Sequence, residues 1–165
     1  MKRTAKRIVY TLVLIMVAFS MIAATTTATK VVRITAGKSV TANLGRAGVS
    51  FTKSFFAGDL RLSRKDTSIL PGITQPVFTQ KLFDARFTDS KGNKVTYVIG
   101  SVYVYFRLAG KERALWNKGM LTIMYFDPWK NDWTECSTYQ VSSAAASPIV
   151  ACRMKNFGLY GLAVR

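Results

Sequence analysis

Histidine is missing from all 165 residues. Its absence excludes Ser-His-Asp and Cys-His nucleophilic arrangements and removes a common metal ligand. Acids are scarce as well, with eight Asp and Glu against 24 Lys and Arg, a formal charge of +16. Acid–base chemistry by paired carboxylates would have to draw on Asp59, Asp66, Asp84, Asp89, Glu112, Asp127, Asp132 and Glu135, most of which fall in or beside expected turns. No glycine-rich phosphate loop occurs, and no S-x-x-K spacing stands out as a site. The reading is therefore of a non-enzyme, with no cofactor and no metal. Asp127, Asp132 and Glu135 do gather around one hairpin; calcium ligation is the alternative there to turn-forming acids with solvated edges.

Long apolar runs are also lacking, apart from one at the start. Lys2, Arg3, Lys6 and Arg7 precede an uncharged apolar run over 8–24, and small residues follow at Ala23, Ala24 and Ala28. This is the layout of a secretory signal peptide over 1–28, cleaved after Ala24 or Ala28. An uncleaved anchor is the alternative, since 17 residues sit at the lower limit for a span. With cleavage, no membrane span is expected in the remaining single domain, 29–165. That stretch carries 20 basic residues against 8 acidic ones, or +12. Such a charge favours anionic partners, and for an exported chain an envelope polymer, a glycan or another surface protein fits better than nucleic acid. The densest basic run, Arg61, Arg64 and Lys65, is the candidate contact within this scattered charge.

Two cysteines remain, Cys136 and Cys152. An even pair in an exported chain reads as a structural disulfide, whereas a redox pair would sit in C-x-x-C and a zinc site needs about four ligands.

The body of the chain reads as strands. A strand at 31–35 opens, short alternating segments follow at 48–52 and 59–63, and 69–76 (ILPGITQP) reads as a connection because of its prolines and glycine. Residues 77–87 alternate unevenly, and 89–93 (DSKGN) is a hairpin turn. Residues 94–99 and 101–108 (SVYVYFRL) follow, then one helical turn near 112–115 and a nearly continuous apolar strand at 120–126. About ten short strands in this length predict an all-β antiparallel sandwich; a closed barrel is the second architecture.

The most informative stretch is 125–140, YFDPWKNDWTECSTYQ. Asp127-Pro128 starts a turn, so 133–140 is expected to return along 120–126. The next reversal falls in 142–147, and Cys136 and Cys152 stand eight residues either side of Ala144. Equidistant residues face each other across a hairpin ladder, close enough for a disulfide. Against that, Val150, Cys152 and Met154 look like a core face, whereas Thr134, Cys136 and Thr138 look solvent-facing. Trp129, in the turn, is the candidate exposed aromatic for a sugar ring, the basis of a carbohydrate-binding alternative.

The order Leu121-Thr122-Ile123, Tyr125-Phe126, Trp133-Thr134-Glu135-Cys136, Val150-Ala151-Cys152 and Phe157-Gly158-Leu159-Tyr160-Gly161-Leu162 resembles exported bacterial β-sandwich modules similar to ZU5-type and GAIN-like domains. The likeness covers 45–165 and is most specific over 115–163. It implies a sandwich, an extracytoplasmic location and an inter-sheet tryptophan at Trp133, with no catalytic residues to carry over. Self-cleavage in GAIN-like domains uses a His-Leu-Ser/Thr-like site; Arg153-Met154-Lys155-Asn156 stands there instead, so none is expected.

Overall fold

The computed structural model describes residues 28–67, 76–142 and 148–165. The leader, the connection at 69–76 and the hairpin tip at 142–147 fall wholly or largely outside them. Among the described residues the chain forms twelve strands and one helix. The strands are β1 (Thr29–Ile34), β2 (Val40–Leu44), β3 (Ala47–Phe51), β4 (Gly58–Lys65), β5 (Leu82–Asp89), β6 (Lys94–Val95) and β7 (Val102–Arg107). After the helix α1 (Gly110–Asn117) come β8 (Leu121–Asp127), β9 (Asp132–Cys136), β10 (Tyr139–Ser142), β11 (Ile149–Arg153) and β12 (Gly158–Val164).

Two antiparallel sheets result, a sandwich as expected. The larger runs β1-β4-β5-β12-β8-β9, with β6 beside β5; the smaller runs β10-β11-β7-β3-β2. Period-two alternation sends one side of each strand inward. In β7, Val102, Val104 and Phe106 are buried between Tyr103, Tyr105 and Arg107 on the other side. Leu60, Leu62, Phe83, Phe87, Ile123 and Leu162 answer them from the larger sheet in one shared core. Each fully buried Leu or Phe there contributes roughly 1.5–3 kcal/mol.

The helix is twice the single turn anticipated. Good helix formers fill its middle, 111–115 (KERAL), and Gly119, at φ +69°, ends it in the left-handed region. It closes one end of the sandwich through Glu112, a buried carboxylate. Glu112 accepts the Ala109 N–H at 2.9 Å and pairs with Arg46 at 2.8 Å.

The largest departure from expectation is at 133–140, which is two strands and not one. β9 pairs with β8, but at Ser137-Thr138 the chain crosses, and β10 pairs with β11 in the other sheet. Thr138 makes the corner: its hydroxyl accepts the Ile123 N–H at 2.8 Å and donates to the Cys136 carbonyl at 2.8 Å. Within the β10–β11 ladder, Tyr139 faces Ala151 and Gln140 faces Val150, so Cys136 does not oppose Cys152 across a hairpin. Cys136 instead pairs with Ile123 in the larger sheet, and Cys152 with Val104 in the smaller. Their disulfide, with α-carbons 6.0 Å apart, staples one sheet to the other through the core. The conflict over which face Cys136 occupies disappears, because Thr134 and Cys136 are the inward residues of β9.

Trp133 therefore points outward, a second correction, since an inter-sheet tryptophan was expected. Paired with Phe126, it packs edge-on against Phe126 (5.6 Å between ring centroids) and Phe78 (4.7 Å) over the outer face of the larger sheet. Burial of Trp133 comes from this satellite cluster, and its Nε1 has no hydrogen-bond partner among the described residues.

Candidate ligand-binding hollow

The β8–β9 turn is built by its acids. Asp127 Oδ1 accepts the Trp129 N–H at 3.0 Å, and Asp132 Oδ1 accepts the Trp133 N–H at 2.7 Å. Glu135 turns away to Arg165, whose guanidinium holds its carboxyl below the usual range. These three acids are thus engaged with the backbone or an arginine. Proline and the Asx-type bonds leave the Trp129 ring standing 79% exposed.

That ring overhangs the outer face of the larger sheet. Strand register places Ser63, Asp84, Leu159 and Phe126 in one row across this face and Arg61 beside Arg86 in the next. This face holds a hollow of about 400 Å³ lined by Trp129, Tyr97, Phe126, Leu159, Asp84, Arg86 and Lys94; Tyr97 is also exposed, and Arg61 lies beside Arg86 outside the lining.

Its electrostatics turn on one pair. Asp84 and Arg86 are two apart on a strand, hence on the same face. The Asp84 side chain is only 3% exposed and accepts Arg86 Nε–H at 2.9 Å, while Arg86 is 62% exposed. A buried carboxylate requires such a partner. The bond uses Nε alone, so the two Nη groups keep their donors, without partners among the described residues. A guanidinium braced in this way presents a fixed planar fork to a carboxylate, phosphate or sulfate. Arg61 and Lys94 add two more cations without ion-pair partners among the described residues. Two positive charges, Arg86 and Lys94, thus stand against one negative charge beside an exposed indole ring, with Arg61 on the neighbouring strand.

The sequence-based candidates separate. Trp129 and Arg61 belong to this face. Lys65 shares it but lies four residues along β4 from Arg61, about 13 Å away. Arg64 faces the other way: its guanidinium lies 3.4 Å from where a Gly45 side chain would begin, with Nη2 3.5 Å from Gln80 Oε1 and Nε buried without a partner among the described residues. Arg61, Arg64 and Lys65 therefore form no single patch, because neighbours in a strand alternate faces. Arg86 and Lys94 are not among the sequence-based candidates, and Asp84 enters there only as one of the eight acids; the D-x-R spacing within a strand is the signal that links it to Arg86.

Among the described residues no helix is long and apolar enough to cross a membrane. Comparison with models of known families found no match to the chain, and no curated protein matches it.

Proposed function

We propose that the chain is an exported, non-catalytic binding module that engages an anionic polymer of the cell envelope or its surroundings through the Trp129 hollow. The carrying observation is Arg86, oriented by buried Asp84, with its Nη fork unpartnered among the described residues beside an exposed indole. A polymer that joins sugar rings to phosphate or sulfate would stack a ring on Trp129 and offer its anion to Arg86, Arg61 and Lys94. The leader pattern, the disulfide and the likeness to ZU5-type and GAIN-like modules support export and a non-catalytic role.

Retention of the purified chain on dextran sulfate, with unmodified dextran as the control, tests this reading. Arg86→Ala and Trp129→Ala should each weaken retention about tenfold, and retention should fall as salt rises. Wild-type retention by both variants would overturn it. The exposure of Trp129 favours one second reading, a neutral-glycan site, in which Trp129→Ala abolishes retention on plain dextran while Arg86→Ala leaves it unchanged.

A further inference from the structure

The opposite side of the molecule, the outer face of the smaller sheet, carries a second depression of about 450 Å³. Tyr103, Tyr105 and Tyr139 line it with Arg107, and a hydroxyl pair, Thr41 and Ser50 at 3.0 Å, forms the far wall. The floor is specified locally. Tyr105 pairs with Gly48, and its phenol lies where a Gly48 side chain would be, so the ring is laid across β3. Tyr103 and Tyr139 meet edge to face at 88° with ring centroids 6.3 Å apart, making a wall of the groove. Burial raises the Tyr105 and Tyr139 phenols above their ordinary value, so both stay neutral donors at physiological pH.

Three features define what can sit there. First, β11, β7 and β3 are each laddered on both sides, so the face offers no backbone groups to an added peptide strand. Recognition must use ring faces and hydroxyls, the complement of a pyranose with its C–H face and hydroxyl rim. Second, no strand of the smaller sheet contains an Asp or Glu. Sugar hydroxyls therefore find no carboxylate acceptor, and any carboxylate must come from the ligand. Third, Arg107, exposed at one end of the groove, has no side-chain hydrogen bond or ion pair among the described residues, and its charge is felt by the neighbouring Tyr105 phenol. Arg153, four residues along at the other end, spends one donor on the Gly100 carbonyl at 3.1 Å. The two arginine positions are about 13 Å apart along the strands, with the tyrosines between them.

We infer that this tyrosine face is a second binding site, for a carboxylated pyranose polymer, with rings stacked on Tyr103 and Tyr139 and a carboxylate on Arg107. It operates independently of the Trp129 hollow, on the other sheet. A second copy of the chain would bring like-charged arginines together on a strongly basic protein, which disfavours self-association here.

The experiment uses the mature chain carrying Arg86→Ala and Trp129→Ala, so that the hollow is silenced. Its binding to polygalacturonate and to the fully methyl-esterified polymer is measured by calorimetry. The silenced chain should bind polygalacturonate. Adding Tyr103→Ala with Tyr139→Ala should weaken that binding about tenfold or more, with the melting temperature and disulfide intact. Arg107→Gln should remove the preference for the free acid over the ester. Absence of binding by the silenced chain, or unchanged binding after the tyrosine substitutions, would overturn the inference. Equal affinity for ester and acid would overturn its carboxylate part. Adsorption to anionic vesicles, or dimerisation, in place of polymer binding and lost with Tyr139→Ala would reassign the face to a lipid surface or to a second copy. Failure of the dextran sulfate test alone leaves this site standing, since that test addresses the other sheet.

Discussion

The two sheets share a core but differ in charge. Six of the eight acids lie in strands of the larger sheet, and the other two, Asp66 and Glu112, follow β4 and sit in α1; the smaller sheet has none. Arginine consequently behaves differently on the two outer faces. On the larger sheet Arg33 is paired with Asp59 and Arg86 with Asp84, so direction is built in before a ligand arrives. On the smaller sheet Arg107 is unpaired by any carboxylate, and shape comes from tyrosine rings instead. A pre-oriented cation suits recognition of a compact anion, whereas rings with a loose cation suit an extended chain. Both faces nevertheless use one device, an aromatic ring laid over a glycine: Tyr105 on Gly48, and Phe78 on Gly161.

The strongest way to break the comparison is to separate the sheets. Cys136→Ser with Cys152→Ser removes the side-chain crosslink between them, which closes a loop of sequence separation 16. The expected loss is about 3 kcal/mol, or roughly 10 °C in melting temperature. Calorimetry with and without reductant measures it, and an unchanged melting point would mean the staple is idle. Next in size are the two glycines. Gly48→Ala drives a methyl into the Ala42 carbonyl as well as the Tyr105 ring, and backbone cannot step aside. Gly161→Ala meets only the side chains of Phe78 and Leu82, which can shift. Both destabilise by about 1–3 kcal/mol, Gly48→Ala by more, and urea denaturation of the two variants gives the order. Gly161→Ala should also loosen Trp133, visible as a change in tryptophan emission.

Much of this was legible. The β7 alternation, the 89–93 turn and the two cysteines led to a sandwich with a disulfide. What escaped notice has physical reasons. β2 (VTANL) went unseen because Thr41 and Asn43 make it look polar and Ala42 is its sole fully buried side chain. The sheet change at Ser137-Thr138 leaves no turn signal, since a threonine hydroxyl performs the corner. A clue existed in parity: Trp133 and Cys136 are three apart and both apolar, so one of them had to face outward. The Asp84–Arg86 brace was equally readable as D-x-R, yet its burial depends on strands distant in sequence.

Smaller effects come from titration, and they divide by pH. Burial pushes the Tyr160 phenol well above its ordinary value of 10, and Tyr160 donates to the Asn156 carbonyl at 2.7 Å in the larger sheet. A raised folded-state value means the contribution is whole below pH 10 and is lost as pH climbs from there through the folded value. Melting temperature should thus decline above pH 10. Tyr160→Phe should flatten that decline while losing about 1 kcal/mol at neutral pH from the missing hydrogen bond. Persistence of the same slope in Tyr160→Phe would shift the effect to Tyr105 and Tyr139 on the smaller sheet.

The smallest effect is at the acid end and belongs wholly to the larger sheet. The hydrogen bond from Arg165, ahead of the one from Thr122, lowers the Glu135 carboxyl below its ordinary 4.5, and bonds from Asn93 lower Asp89 below its ordinary 3.8. For a depressed value the contribution is present above the ordinary value and disappears as pH falls through the folded one. Glu135 is about half exposed, so solvent screening holds its share under about 1 kcal/mol, and salt reduces it further. Glu135→Gln should therefore lower the melting temperature slightly at pH 7 and hardly at all at pH 3. Because the smaller sheet has no carboxylate to protonate, its tyrosine face should keep its own geometry through that acid range. Near-ultraviolet circular dichroism of the tyrosines at pH 7 and pH 3.5 tests this, and loss of their signal before any unfolding would show that the two sheets are coupled more tightly than their charges imply.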